Sequence, residues 1–141
     1  MVDSTSDKMY LMKREEVLIE IETINNYLNK CLWMDFEFCQ INAGLAKMAG
    51  SIDHSYNEYA IEIVFEQPYF ISSLLFWHSD TSKPFIKLVT ETEEQEYNSL
   101  YKVEEGNYIF SVNAEEYKIP PILIIAKKVN CVIINKNPFS K

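Results

Sequence analysis

Residues 59–90, YAIEIVFEQPYFISSLLFWHSDTSKPFIKLVT, constrain the fold more than any other stretch of the chain. Three apolar runs follow one another, separated by Gln67-Pro68 and by Ser79-Asp80-Thr81-Ser82-Lys83-Pro84. In the first run Tyr59, Ile61, Ile63 and Phe65 alternate with Ala60, Glu62, Val64 and Glu66. A period of two is the mark of a strand with one face buried. Residues 70–77 are almost continuously apolar, as in a strand covered on both faces. Residues 85–89 return, with Lys87 opposite Ile86 and Leu88. Connections this short allow only antiparallel neighbours. The stretch therefore predicts three consecutive antiparallel strands, with Pro68 ending the first.

Elements before and after it fit the same plan. Between residues 9 and 32, Val17, Ile21, Ile24, Leu28 and Cys31 recur every three or four positions, and Leu18 and Leu32 widen the stripe. Glu and Asn cover the other side, so an amphipathic helix is expected on one face of a sheet. Residues 33–41 and 45–52 read as strands joined by an Asn42-Ala43-Gly44 turn, and 53–57 as a polar turn. Residues 91–105 hold six Glu and one Lys. They read as a long polar loop, or a loop with a short edge strand at 100–103. After a Gly106-Asn107 turn, Tyr108, Phe110 and Val112 alternate into another strand. Residues 114–117 read as a polar break. Residues 122–128 and 131–135 then read as a final pair joined by a tight Val129-Asn130 turn. Eight or nine strands after one helix make this a mainly β (α+β) chain, an antiparallel β-sandwich or curled sheet of about eight strands. No helical period separates the strands, which excludes a βαβ dinucleotide fold.

Length and charge narrow the roles such a fold can take. A chain of 141 residues fits one domain and can bury a core without a staple. Residues 1–8 are expected to fray. The net charge of −8 repels phosphate backbones and anionic lipid and steers basic partners inward, so a basic protein is the expected partner rather than nucleic acid or a membrane. Three cysteines, Cys31, Cys39 and Cys131, with no CxxC spacing, read as free thiols in a reducing cytoplasm. The first residues carry no apolar signal region, and no run reaches the length of a membrane span.

Catalytic signatures are missing. GxSxG, GxGxxG and GxxxxGK[ST] do not occur, and neither histidine lies in a metal-binding spacing. A Cys-His pairing of His78 with Cys39 or Cys131 has no local support. No cofactor or metal is expected. Two surfaces remain. Trp77, His78 and Asp80 lie where an apolar strand meets a turn. They read either as core, strand end and turn holder, or as an aromatic rim. Glu91, Glu93, Glu94 and Glu96 precede Tyr97 and Tyr101, and Glu104 and Glu105 precede Tyr108. Acids interleaved with tyrosines suit a Lys/Arg-rich partner, with charge setting rate and rings supplying burial.

In size, charge and helix-then-sheet layout, and in the texture of residues 59–89, the chain resembles the small immunity proteins of bacterial contact-dependent growth inhibition and other polymorphic toxin systems. That resemblance implies a cytoplasmic, non-catalytic domain that occludes the active site of a cognate basic toxin, a nuclease and an RNase more than a DNase. The competing expectation is a ligand-binding or enzymatic β domain with an internal apolar cavity. A third is a subunit or homodimer built on an exposed edge strand.

Overall fold

The computed structural model describes residues 11–52, 58–115 and 117–139, with backbone alone for 117–121. The expected fraying of 1–8, the first positions of the N-terminal helix and the 53–57 turn lie outside these residues. Helix α1 spans Arg14–Asn29. Seven strands follow: β1 (Met34–Ile41), β2 (Leu45–Ser51), β3 (Ile61–Ser72), β4 (Phe76–Ser79), β5 (Ile86–Leu88), β6 (Tyr108–Ala114) and β7 (Tyr117–Ile133). A second helix, α2 (Glu91–Tyr101), lies between β5 and β6. All seven strands form one antiparallel sheet in the order β4-β1-β2-β3-β7-β6-β5.

The sheet curls until its β4 edge touches the corner between β6 and β7. There the Glu115 N–H donates to the His78 carbonyl (3.0 Å), the Ser79 hydroxyl donates to the Asn113 carbonyl (3.0 Å), and Asn113 Nδ2 donates to the Asp80 carbonyl (3.3 Å). Of the two expected architectures the curled sheet is the one formed, with seven strands in a single sheet.

Helix α1 fills the concave side as its spacing requires: Val17, Ile21, Ile24 and Leu28 are buried. They meet Met34, Phe36, Met48, Ile61, Ile63, Phe65, Phe110 and Ile124 in the main core. Phe36 stacks on Phe85 (4.2 Å between ring centres) and Phe65 meets Phe110 edge-on (5.2 Å). Gly50 is needed here, because a Cβ would sit 2.8 Å from Met34 Cγ and 3.0 Å from Phe36 Cε1. Asn25 turns toward β5, the outermost strand. Its Oδ1 accepts from the Phe85 and Ile86 N–H groups (2.8 and 3.1 Å), and its Nδ2 donates to the Ile86 carbonyl (2.8 Å). An edge that could recruit another chain is thereby occupied from within.

Two expected breaks are absent. Pro68 does not end a strand: β3 runs from Ile61 to Ser72, with a bulge between Pro68 and Phe70. Gln67 takes φ 50, and its N–H bonds to the Gly44 carbonyl (2.9 Å), so the turn is absorbed without leaving the sheet. Val129-Asn130 is no turn either. Residues 117–133 form one strand, paired with β6 along its first half and with β3 along its second. The apolar run Ile122 to Ala126 is buried on both sides, with Ile122, Ile124 and Ala126 in the main core and Leu123 and Ile125 in a second core on the convex face.

Candidate functional site

The acidic segment is a helix, not a loop or an edge strand. Thr90 caps it: its hydroxyl accepts from the Glu93 N–H (3.2 Å), while the Glu93 carboxylate accepts from the Thr90 N–H (2.9 Å). Those bonds hold the Glu93 carboxyl below its ordinary value. At the other end Lys102 ends the helix in the left-handed conformation, φ 54. The Tyr69 hydroxyl lies 2.8 and 2.9 Å from the Tyr101 and Lys102 carbonyls.

The helix separates the residue types that the sequence interleaves. Tyr97 and Tyr101 face the sheet, where they pack with Phe70, Ile109, Leu123 and Ile125, and Tyr101 stacks on Phe70 at 4.2 Å. Burial is the main cause that raises the Tyr97 phenol. The tyrosines therefore anchor the helix and do not rim a binding surface. Thr92, Gln95, Glu96, Ser99 and Leu100 face solvent, with Leu100 at 67% exposure. Glu91, Glu104 and Glu105 are also exposed, and Glu94 partly so. None of the six glutamates forms an ion pair among the described residues.

Beside the start of α2 lies a cleft of about 330 Å³. Arg14, Glu91 and Glu94 line it together with Leu88, Val89 and Ile109, and Tyr108 closes one side. The Tyr108 hydroxyl bonds to the Met12 carbonyl, tying β6 to the segment that leads into α1. Arg14 is far in sequence from the acidic segment, so no local pattern foretells this arrangement.

The second candidate surface divides. Trp77 is 3% exposed and faces inward, beside Phe36 and Phe38, with its Nε1 donating to the Ser79 hydroxyl (3.1 Å). It belongs to the core and cannot serve as a rim, which corrects its place among the partner-binding residues. Asp80 holds the turn, accepting from the Ser82 hydroxyl (2.6 Å) and N–H (3.0 Å), and these bonds lower its carboxyl. His78 points outward from the alternate face of β4. Its Nδ1 is 2.7 Å from Asp35 Oδ1, its Nε2 is 3.6 Å from Glu115 Oε2, and its ring stacks on Trp33 (5.9 Å). Trp33 and Asp35 lie two residues apart at the start of β1, where Asp35 stands opposite His78 in the β1–β4 pairing, and the curl of the sheet adds Glu115 from the far end of the chain. His78 and Asp80 bond to these neighbours and to Ser82, not to α2.

An aspartate behind a histidine is half of a general-base arrangement, but the outer nitrogen meets a carboxylate rather than a hydroxyl or thiol. The two cysteines weighed against His78 lie elsewhere. Cys39 Sγ is 3.6 Å from the Lys47 carbonyl, and the Cys131 N–H donates to the Glu20 carboxylate (3.0 Å). Burial raises both thiols, Cys131 to about 11, the reverse of what a nucleophilic cysteine needs. Among the described residues no group of three or more His, Cys, Asp and Glu could hold a metal ion, and no helix is long and apolar enough to cross a membrane. Comparison with family models, curated proteins and solved structures finds no match to this chain.

Proposed function

We propose that the chain is a non-catalytic protein-binding module that docks the outer side of α2 and the following turn onto a basic protein. One observation carries this reading. Six glutamates in residues 91–105 stand without an ion-pair partner among the described residues, on a molecule of net charge −8. The partner-binding residues are Glu91, Glu96, Glu104 and Glu105, with Leu100 offering exposed apolar area one helical turn from Glu96. Such a surface steers a cationic partner from a distance and then seals against it. The partner is a cognate toxin domain of basic charge, a nuclease and RNase more than DNase, whose active site the acidic face covers as an immunity protein would.

The test is co-expression with the protein encoded next to this one, followed by association rates at low and high salt. The reading expects a tight complex whose association slows with salt, and slows about tenfold or more when Glu96, Glu104 and Glu105 are all changed to Lys. A complex indifferent to salt and to those changes, or no complex with a basic neighbour, overturns it. Glu93 is left out of the set because it holds the helix cap.

A further inference from the structure

The two helices are held to the sheet in different ways. Helix α1 buries Val17, Ile21, Ile24, Tyr27 and Leu28, and its Glu20, Asn25 and Tyr27 side chains bond to the backbone at Cys131, Ile86 and Asn135. Helix α2 has no fully buried residue. Two half-buried rings, Tyr97 and Tyr101, seat it on Phe70, Ile109, Leu123 and Ile125. Among the described residues one side chain from elsewhere in the chain bonds to its end: the Tyr69 phenol, whose single O–H is shared between the Tyr101 and Lys102 carbonyls (2.8 and 2.9 Å). The bonds between Thr90 and Glu93 are internal to the segment and tie it to nothing else.

The chain on either side of α2 is suited to movement. Before it, the Val89 N–H donates to the Ile109 carbonyl (3.0 Å), which fixes the chain to β6 up to the start of the helix. After it, Lys102 (φ 54) and Gly106 (φ 91) both take the left-handed conformation. Asn107 Oδ1 is buried there with no hydrogen-bond partner among the described residues. An unmet buried acceptor is costly, and the cost disappears when that connection moves into water. Beneath the helix, Ile109, Leu123 and Ile125 are 2%, 4% and 0% exposed, although they form a separate core on the convex face. Their backbone is fixed by the sheet, with Ile109 registered against Ile125.

We propose that α2 is a lid, which opens as one unit between residues 89 and 107 while the sheet and α1 stay folded, and so uncovers an apolar strip of Phe70, Ile109, Leu123 and Ile125. The contacts that must break all belong to one short segment, the condition for opening at a free energy below that of global unfolding. A helix of eleven residues has little stability alone, so the opened segment is unfolded chain. Opening also withdraws Glu91 and Glu96 from the surface assigned to the basic partner. That last consequence rests on the docking surface proposed above; the opening itself does not, and it is measured on the free protein.

The experiment is native-state amide hydrogen exchange in increasing urea, followed by NMR. The amides of Gln95 to Tyr101 should share one opening reaction, about tenfold or more populated than the one that exposes the amides of β3 and β7, and with a weaker dependence on urea. The Ile109 and Ile125 amides, held in the sheet, should follow β3 and β7. Two variants separate lid opening from global unfolding. Tyr69→Phe should raise the opening of the α2 amides about fivefold, the scale of one lost hydrogen bond. Gly50→Ala, on the opposite side of the molecule's core, should speed the β3 and β7 amides and leave the α2 amides unchanged. If that variant does not fold, Ile63→Val takes its place. The proposal is overturned if the α2 amides exchange only together with β3 and β7, or if they open one by one with no dependence on urea. It is equally overturned if Gly50→Ala or Ile63→Val speeds α2 as much as the core, or if Tyr69→Phe leaves α2 unchanged.

Discussion

Asn25 gives the sharpest test of how this sheet is held at its edge. It is a helical residue that acts as the missing neighbour of a strand. Its side chain makes three hydrogen bonds to the backbone of Phe85 and Ile86, all between 2.8 and 3.1 Å and partly buried. Asn25→Ala removes all three and leaves no protein partner in their place. A net contribution of about 1 kcal/mol per bond puts the loss near 3 kcal/mol. Alanine's better helix propensity returns about 0.5 kcal/mol. The expected destabilisation is therefore roughly 2–3 kcal/mol, read from the midpoint of urea unfolding at constant m-value. Amide hydrogen exchange adds a local readout: the Phe85 and Ile86 amides should lose protection before the amides of β3 and β7. A loss below about 0.5 kcal/mol with unchanged protection at those two amides would show that water replaces Asn25 without penalty, and the edge argument would fail.

Further tests address the second helix, the core and the thiols. Thr90→Ala should cost about 1 kcal/mol in urea unfolding through loss of the cap. The Glu93 carboxyl is depressed in the folded state, chiefly by the Thr90 N–H, so its contribution is complete above the ordinary value of 4.5 and disappears as pH falls through the depressed value. Stability measured from pH 6 downward should therefore fall less steeply for Glu93→Gln than for the parent, and parallel curves would refute the assignment. Gly50→Ala should destabilise by roughly 1–3 kcal/mol, because its Cβ collides with Met34, Ile61 and Phe36; a neutral result in thermal unfolding would mean the core yields there. Iodoacetamide at pH 8 should label Cys39 first by peptide mapping, since Cys39 is exposed, Cys31 is buried, and Cys131, at about 11, is roughly one part in a thousand thiolate at that pH. Faster labelling at Cys131 would contradict its placement beside Glu20.

Strong local periodicity is legible without a structure. Val17, Ile21, Ile24 and Leu28 place α1, and the alternation at 33–41 and 45–52 places β1 and β2 within a residue of their observed ends. The Asn42 turn also forms as expected, with Asn42 Oδ1 accepting from the Gly44 and Leu45 N–H groups. Residues 91–101 hide their helix for a physical reason. The buried side of α2 is made of Tyr97 and Tyr101 on a short helix dominated by Glu, so the apolar signal is weak. The cap signal is present in Thr90 and Glu93, and the pair Tyr97 and Tyr101 has helical spacing. Pro68 and Val129-Asn130 resemble breaks because local rules weigh the residue alone. Pairing with β3 along the second half of β7 outweighs those rules at Val129-Asn130, and a bulge in β3 absorbs Pro68.

Side-chain periodicity and charge are written locally, and they suffice for a mainly antiparallel β chain with one leading amphipathic helix and a concentrated acidic segment. Residues 59–90 form the scaffold that carries α2, with Trp77 buried inside it. That the acidic segment turns its tyrosines inward and its glutamates outward is a property of the folded molecule. So is the setting of Arg14 with Glu91 and Glu94 around one cleft, and of His78 between Asp35 and Glu115. These groupings depend on how far the sheet curls and on which face each helix covers, and both are set by long-range packing that no window of neighbouring residues contains.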